Sequence, residues 1–298
     1  MTALSVHQIS KHYGAIAALK NVSFDVPKGC IYGILGPNGS GKTTLLGIVT
    51  GVLKADAGTC SLFGEPITAQ QRKQTGTLLE TPNFYHYLSA RKNLEITAGI
   101  KGYDYSTIDD VLKRVDLYER RDSKFSTFSL GMKQRLAIGA ALLGNPSVLI
   151  LDEPTNGLDP NGIADIRSLI KSLASEGKTI VMASHLLDEV EKVCTYVAIL
   201  KKGALLADGS VNTVLKSGDM IEIASQDLSK LRDILRNFKG YTLIEDAQDM
   251  LLLHHEPDTI SLDALNRFCF DNGVTLTHLN IHKKSLETKF LEITNQQS

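Results

Sequence analysis

The run Gly36-Pro37-Asn38-Gly39-Ser40-Gly41-Lys42-Thr43-Thr44 has the residue types and spacing for one kind of chemistry, the grip on a phosphate chain. Its glycines let the backbone aim amides at anionic oxygens, and a helix opening at Lys42 adds the partial positive charge of its N-terminus. Lys42 supplies a point charge for the β- and γ-phosphates, a catalytic as well as a binding role, and the Thr43 hydroxyl is placed to ligate Mg²⁺. Farther along, Val148-Leu149-Ile150-Leu151-Asp152-Glu153-Pro154 ends an apolar run with two carboxylates. Asp152 can hold Mg²⁺ through water, and Glu153 can polarise or deprotonate an attacking water. Between these two segments lies Ser129-Leu130-Gly131-Met132-Lys133-Gln134-Arg135. Ser129 is a good helix N-cap there, and Gly131 leaves the first turn open to a close approach. A helix start of that kind is an anion site built from amides.

These residues need a scaffold, and the apolar spacing predicts one up to about residue 210. The runs IYGIL (31–35), VLIL (148–151), TIVMAS (179–184) and YVAIL (196–200) are continuous stretches of β-branched residues and leucine. Such runs belong to strands buried on both faces of a parallel sheet with helical crossovers. The phosphate-gripping loop therefore follows a strand and opens a helix, LLGIVTGVL. From about 86 to 145 the spacing becomes helical, as in KNLEITAGI and DVLKRVDLYERR, which predicts an inserted helical subdomain ending in the helix that Ser129 caps.

Past residue 213 the texture changes. It predicts a strand at 220–224, a helix over 225–240 stopped at Gly240, and strands within YTLIED and DMLLLHH. A helix over 261–273 stopped at Gly273, a strand at 274–281 and a closing helix at 285–294 follow. The order βαββαβ is that of a ferredoxin-like split βαβ. The expected fold class is therefore an α/β core over 1–213, mainly a parallel sheet, with a small α+β accessory domain over 214–298.

Composition sets outer limits. The 298 residues carry a net charge of −1, so no basic field draws in nucleic acid or an anionic membrane. No apolar run reaches the ~18–20 residues of a bilayer span, and the opening MTALSVHQISK has no apolar core of signal-peptide length. Cys30, Cys60, Cys194 and Cys269 stand apart without a CxxC pair, as suits a reducing cytosol. A cytoplasmic chain is expected, for which any membrane role needs a second protein.

In this order the three segments resemble the ATP-binding-cassette (ABC) ATPases, a branch of the P-loop NTPase fold, over roughly residues 4–210. The resemblance implies ATP and Mg²⁺ at 36–44, with Tyr13 of KHYG stacking on adenine, packing at a sheet edge being the rival role. It makes His185, directly after TIVMAS, a switch histidine that reaches the γ-phosphate and Glu153 or water. It further implies a head-to-tail pair of copies enclosing two ATP. Ser129 and Gly131 of one copy then press on nucleotide held by the other, and Asp159 of TNGLDP (155–160) bridges the two. Where the family reads Leu-Ser-Gly-Gly-Gln, this chain reads Phe128-Ser129-Leu130-Gly131-Met132, keeping the serine and the second glycine.

Where most members carry a glutamine near Mg²⁺, this chain has Glu80, a further expected metal ligand. That acidic variant, followed by Thr81-Pro82 and Phe84-Tyr85-x-x-Leu88, is similar to the bacitracin-resistance and lantibiotic-immunity branch of exporters. The closing SLETKFLEIT is similar to the end of drug-export ATPase subunits. The implied function is ATP hydrolysis that powers a separate polytopic membrane permease through contacts near 82–99, with the chain peripheral on the inner face of the cell membrane. An import subunit and a soluble ATPase of translation or DNA repair are the alternatives. One uninterrupted cassette with a short helical insertion disfavours the latter two roles.

Overall fold

The computed structural model describes residues 1–68, 71–72, 74–79, 83–215, 220–238, 241–247, 249–255, 261–282 and 290. Two compact units divide between Ser210 and Val211. The boundary drawn on sequence texture, after 213, falls inside the helix Val211–Leu215 that opens the second unit.

The first unit begins with β1 (Thr2–Tyr13), β2 (Ile16–Pro27), β3 (Ile31–Leu35) and α1 (Lys42–Val49), then β4 (Ala57–Leu62), β5 (Glu65–Pro66) and β6 (Thr75–Leu78). Helices α2 (Ala90–Lys101), α3 (Ile108–Arg114) and α4 (Leu130–Leu142) form the helical insertion. β7 (Val148–Asp152), α5 (Pro160–Ser175), β8 (Thr179–Ser184), α6 (Leu187–Val193), β9 (Tyr196–Lys201) and β10 (Ala204–Ser210) complete it. Among the described residues β2-β1-β4-β5 make an antiparallel sheet, and β10-β9-β3-β8-β7-β6 make a second sheet whose pairs are parallel except at the β10 edge.

β3, β7 and β8 are buried at every position, which is why their sequences run apolar without alternation. Their C-terminal ends, Leu35, Asp152 and Ser184, lie side by side and deliver the loops that carry the chemistry. The sheet edge is pinned by Tyr32, which stacks on Phe24 with centroids 5.3 Å apart and donates its hydroxyl to Asp208 at 2.5 Å. Asn93 ties the loop entering the insertion to α2: its Oδ1 accepts from Tyr85 N–H at 2.8 Å, and its amide donates to the Tyr85 and Ser89 carbonyls at 3.2 and 3.0 Å.

In the second unit α7 (Val211–Leu215) precedes β11 (Met220–Ser225), α8 (Leu228–Leu235), β12 (Tyr241–Ala247), β13 (Met250–His255), α9 (Leu262–Asp271) and β14 (Leu276–His282). The strands pair antiparallel in the order β12-β13-β11-β14, the split-βαβ arrangement that the element order predicts. Ile221, Ile223, Leu251 and Leu253 of the sheet share one core with Leu231, Leu235, Leu265 and Cys269 of the helices. The helix expected over 225–240 is shorter. Ser225 still belongs to β11 and donates its hydroxyl to Asp227 O, while Asp227 caps the helix by accepting Lys230 N–H at 2.9 Å. Turns at Asn237 and Phe238 then close it. Gly240 and, apart from Phe290, the expected closing helix at 285–294 lie outside the described residues.

Candidate active site

Gly41, at φ 107°, is the N-cap of α1, a backbone state closed to most side chains. No side chain caps this helix, so its first amides stay open to an incoming anion. Lys42 is 6% exposed and donates to the carbonyls of Gly36 and Pro37 at 2.8 and 3.3 Å, which folds the loop around its ammonium. Ser40 Oγ is buried against Gly36 and has no hydrogen-bond partner among the described residues. Around this loop lies a cavity of about 580 Å³, lined by Asn38, Gly39, Gly41, Lys42, Thr43, Thr44 and Glu153. Tyr13, 47% exposed, and Ile16 stand at its edge on the β1–β2 hairpin.

The two carboxylates after β7 differ in setting. Asp152 is 4% exposed at the strand end. Glu153 has φ 48°, a left-handed conformation unusual for a residue with a side chain, held by its N–H donating to Ala183 O at 3.0 Å. That turn sends its carboxylate back over the loop: Oε1 lies 3.7 Å from Lys42 Nζ, and Oε2 lies 2.8 Å from His185 Nδ1. The sequence-predicted Lys42, Glu153 and His185, far apart in the chain, thus come together at one place.

Ser129, Gly131 and Asp159 do not join them. Ser129 caps α4 by accepting Met132 N–H at 3.3 Å, and Asp159 caps α5 by accepting Gly162 N–H at 3.1 Å. The two helix starts surround a separate cavity of about 450 Å³, lined by Ser129, Gly131, Arg135, Gly157, Asp159 and Asp165 among others. It shares no lining residue with the phosphate-loop cavity. A Cβ on Gly131 would meet nothing nearer than Gly162 Cα at 4.0 Å, so the helix start is bare.

Residues 19–156 match the ABC transporter family model. The bacitracin transport ATP-binding protein BcrA of Bacillus licheniformis is 35% identical over 98% of this chain and 97% of its own length. This chain belongs to the ABC transporter ATP-binding proteins. The lantibiotic transport ATP-binding protein SrtF of Streptococcus pyogenes is 39% identical over 70% of this chain and 93% of its own. Among solved structures, the dimeric post-hydrolysis state of the ATP-binding cassette MJ0796, bound to ADP and Pi, is 26% identical with a TM-score of 0.63, covering 70% of this chain and 98% of that one.

As an ABC ATPase, the chain binds and hydrolyses ATP, and its cavity suits that ligand: open helix amides and a buried ammonium face one cleft of nucleotide size. Glu80 lies outside the described residues. Lys20 and Lys202 also line the nucleotide cavity and were not picked out by motif. Lys20 sits on β2 and Lys202 in the β9–β10 turn, brought close by Lys20 N–H donating to Gly203 O at 2.8 Å. Only that cross-sheet bond signals them. A further cleft of about 460 Å³ lies between the end of α1, β6 and the end of α2, with Val52, Thr75, Ile100, Lys101 and Tyr103 in its wall. Among the described residues no helix is long and apolar enough to cross a membrane.

Proposed function

We propose that this ABC ATPase powers a separate polytopic membrane permease, exporting a peptide antibiotic or similar compound, and works as a pair of identical copies. Support for the export branch comes from BcrA and SrtF, whose names assign bacitracin and lantibiotic transport to those proteins. The observation that carries hydrolysis is the convergence of Glu153 on Lys42 and His185, with Glu153 and Lys42 in the wall of one nucleotide-sized cavity.

In this proposal Gly36 to Thr44 cradle the phosphates, Tyr13 stacks on the base, and Lys42 holds the β- and γ-phosphates. Glu153 takes the proton of the attacking water, and His185 fixes the Glu153 carboxylate and contacts the γ-phosphate. Mg²⁺, for which Thr43, Asp152 and Glu80 are the proposed ligands, would supply charge neutralisation on the phosphates. Ser129, Gly131 and Asp159 clamp nucleotide held by the twin. Their bare cavity, disjoint from the phosphate loop, is what supports a composite site.

The permease is proposed to sit against the insertion, at the cleft beside Ile100 and at Tyr85 and Tyr87. Ile100 is 83% exposed, and the two tyrosines are 51% and 69% exposed. Such docking keeps the chain on the cytoplasmic face of the membrane, and nucleic acid has no place in this role.

The test is Glu153→Gln. The variant should bind ATP, lose roughly 10²–10⁴-fold in hydrolysis as expected on removal of a general base, and accumulate as an ATP-bound dimer in light scattering. A variant that remains monomeric with rapid turnover would refute the proposal.

A further inference from the structure

His185 is delivered by a thinly held segment. It follows β8, its successor Leu186 donates N–H to Ser184 Oγ at 3.0 Å, and α6 begins at Leu187 with no side-chain N-cap. One turn beyond His185 the helix is gripped from outside. Arg167 of α5 donates through Nε to Glu189 Oε2 at 3.0 Å and through Nη2 to Oε1 and Oε2, each at 2.8 Å. The pair is mostly shielded, 27% and 12% exposed, and Lys192 Nζ stands 3.6 Å from Glu189 Oε1. A shielded fork of this geometry fixes direction as well as distance, which a single ammonium does not.

The other end of the tie matters equally. Asp159 caps α5, and the cap and the first residues of the helix wall the cavity that also holds Ser129 and Gly131. Arg167 lies two turns into that helix. The fork therefore joins the element facing the cavity of Ser129 and Gly131 to the element carrying His185, while His185 itself lies 2.8 Å from Glu153.

We propose that Arg167 and Glu189 are a positioning pair for the hydrolytic site, setting His185 against Glu153 and making that setting depend on where the Asp159 helix rests. The inference deepens the proposed function and rests on the roles given there to Glu153 and His185. No chemical step passes through the pair itself. It acts by holding one imidazole.

The experiment is steady-state ATP hydrolysis by the full chain with Mg²⁺ over a range of ATP concentrations, using Arg167→Ala alone and in a His185→Ala background. A misplacement near 1 Å costs about 100-fold, so Arg167→Ala should lower kcat roughly 10–100-fold with the ATP KM nearly unchanged. In the His185→Ala background the same substitution should cost little more, because residues that act as a unit are non-additive. Arg167→Lys, which keeps charge but loses the fork, should fall between native and Arg167→Ala.

A pair that only stabilises the fold would lower both backgrounds alike, and that result, an unchanged kcat, or a change confined to KM overturns the inference. Glu153→Gln keeps the two failures apart. If it hydrolyses at the native rate, the underlying site assignment fails. If it is inert while Arg167→Ala retains full kcat, the positioning pair alone fails.

Discussion

Gly131→Ala should make the protein more stable and less active, two effects of opposite sign from one methyl group. Gly131 sits in the first turn of α4, after the Ser129 cap, and is absent from the glycines with positive φ. Alanine adopts its backbone without strain, and the added Cβ meets nothing nearer than Gly162 Cα at 4.0 Å. Replacing glycine where the native φ is compatible stabilises by about 0.4–1 kcal/mol, chiefly by narrowing the unfolded ensemble. For a unit of this size that corresponds to a Tm higher by roughly 1–4 °C. The nucleotide cavity shares no residue with this turn, so ATP affinity of the single chain should be unchanged. On the proposed composite site, the methyl stands on the bare helix start that the twin's nucleotide approaches. Displacing a reacting group by about 1 Å costs on the order of 100-fold, and steady-state ATPase should fall by that order. Thermal melting, equilibrium nucleotide binding and phosphate release measure the three quantities. Native ATPase rates in Gly131→Ala would refute the clamp, and a lowered Tm would refute the account of the open turn.

Lys42→Ala removes a buried ammonium that already donates to Gly36 and Pro37 carbonyls. Each charged hydrogen bond to phosphate contributes about 1.5–3 kcal/mol, so ATP affinity should drop at least tenfold in equilibrium binding, and an unchanged affinity would displace the loop from its assigned role. The four thiols should resist alkylation in the folded chain at pH 8. Burial pushes the Cys30 and Cys60 thiols up to about 11, and the same cause raises Cys194 and Cys269. Since the Cys30 and Cys60 values lie above the ordinary 9.0, the stabilising contribution of these two thiols is full below about 9 and is lost as pH rises toward about 11. Stoichiometric labelling at pH 8 without denaturant would contradict the burial.

The central strands were legible because burial on both faces leaves one simple signature, an apolar run such as Val148–Leu151 with nothing alternating. The antiparallel sheet of β1 and β2 was not legible for the opposite reason. Its two long strands mix polar and apolar residues, the β1–β2 register shifts between Val6 and Ile9 and again near Lys11, and Gln8 and Asn21 take left-handed φ. Each irregularity breaks the period-two pattern by which a half-buried strand is recognised. The ends of the accessory helices were misjudged where a side chain, Asp227, sets the boundary later than the apolar pattern begins. Lys20, Lys202, Arg167 and Glu189 belong to no compact motif. Their positions follow from a cross-sheet bond and a helix-to-helix fork, contacts that exist only once tertiary packing has fixed the partners.

Motif order along the chain hides a spatial division. Glu153 and Asp159 are separated by a single tight loop, yet Glu153 lines the cavity with Lys42 and Asp159 lines the one with Ser129. Only Pro154 to Leu158 separate the two, so Asp159 and the Glu153 carboxylate are joined by a short stretch of backbone. The Arg167–Glu189 fork adds a second link, from the same helix to His185 on the other side of that carboxylate. Two mechanical connections thus run from one bare surface to both members of the Glu153–His185 pair. On the proposed composite site, these links predict that contact at the Ser129 side changes the setting of Glu153 and His185, a dependence the Arg167→Ala and Gly131→Ala variants probe together.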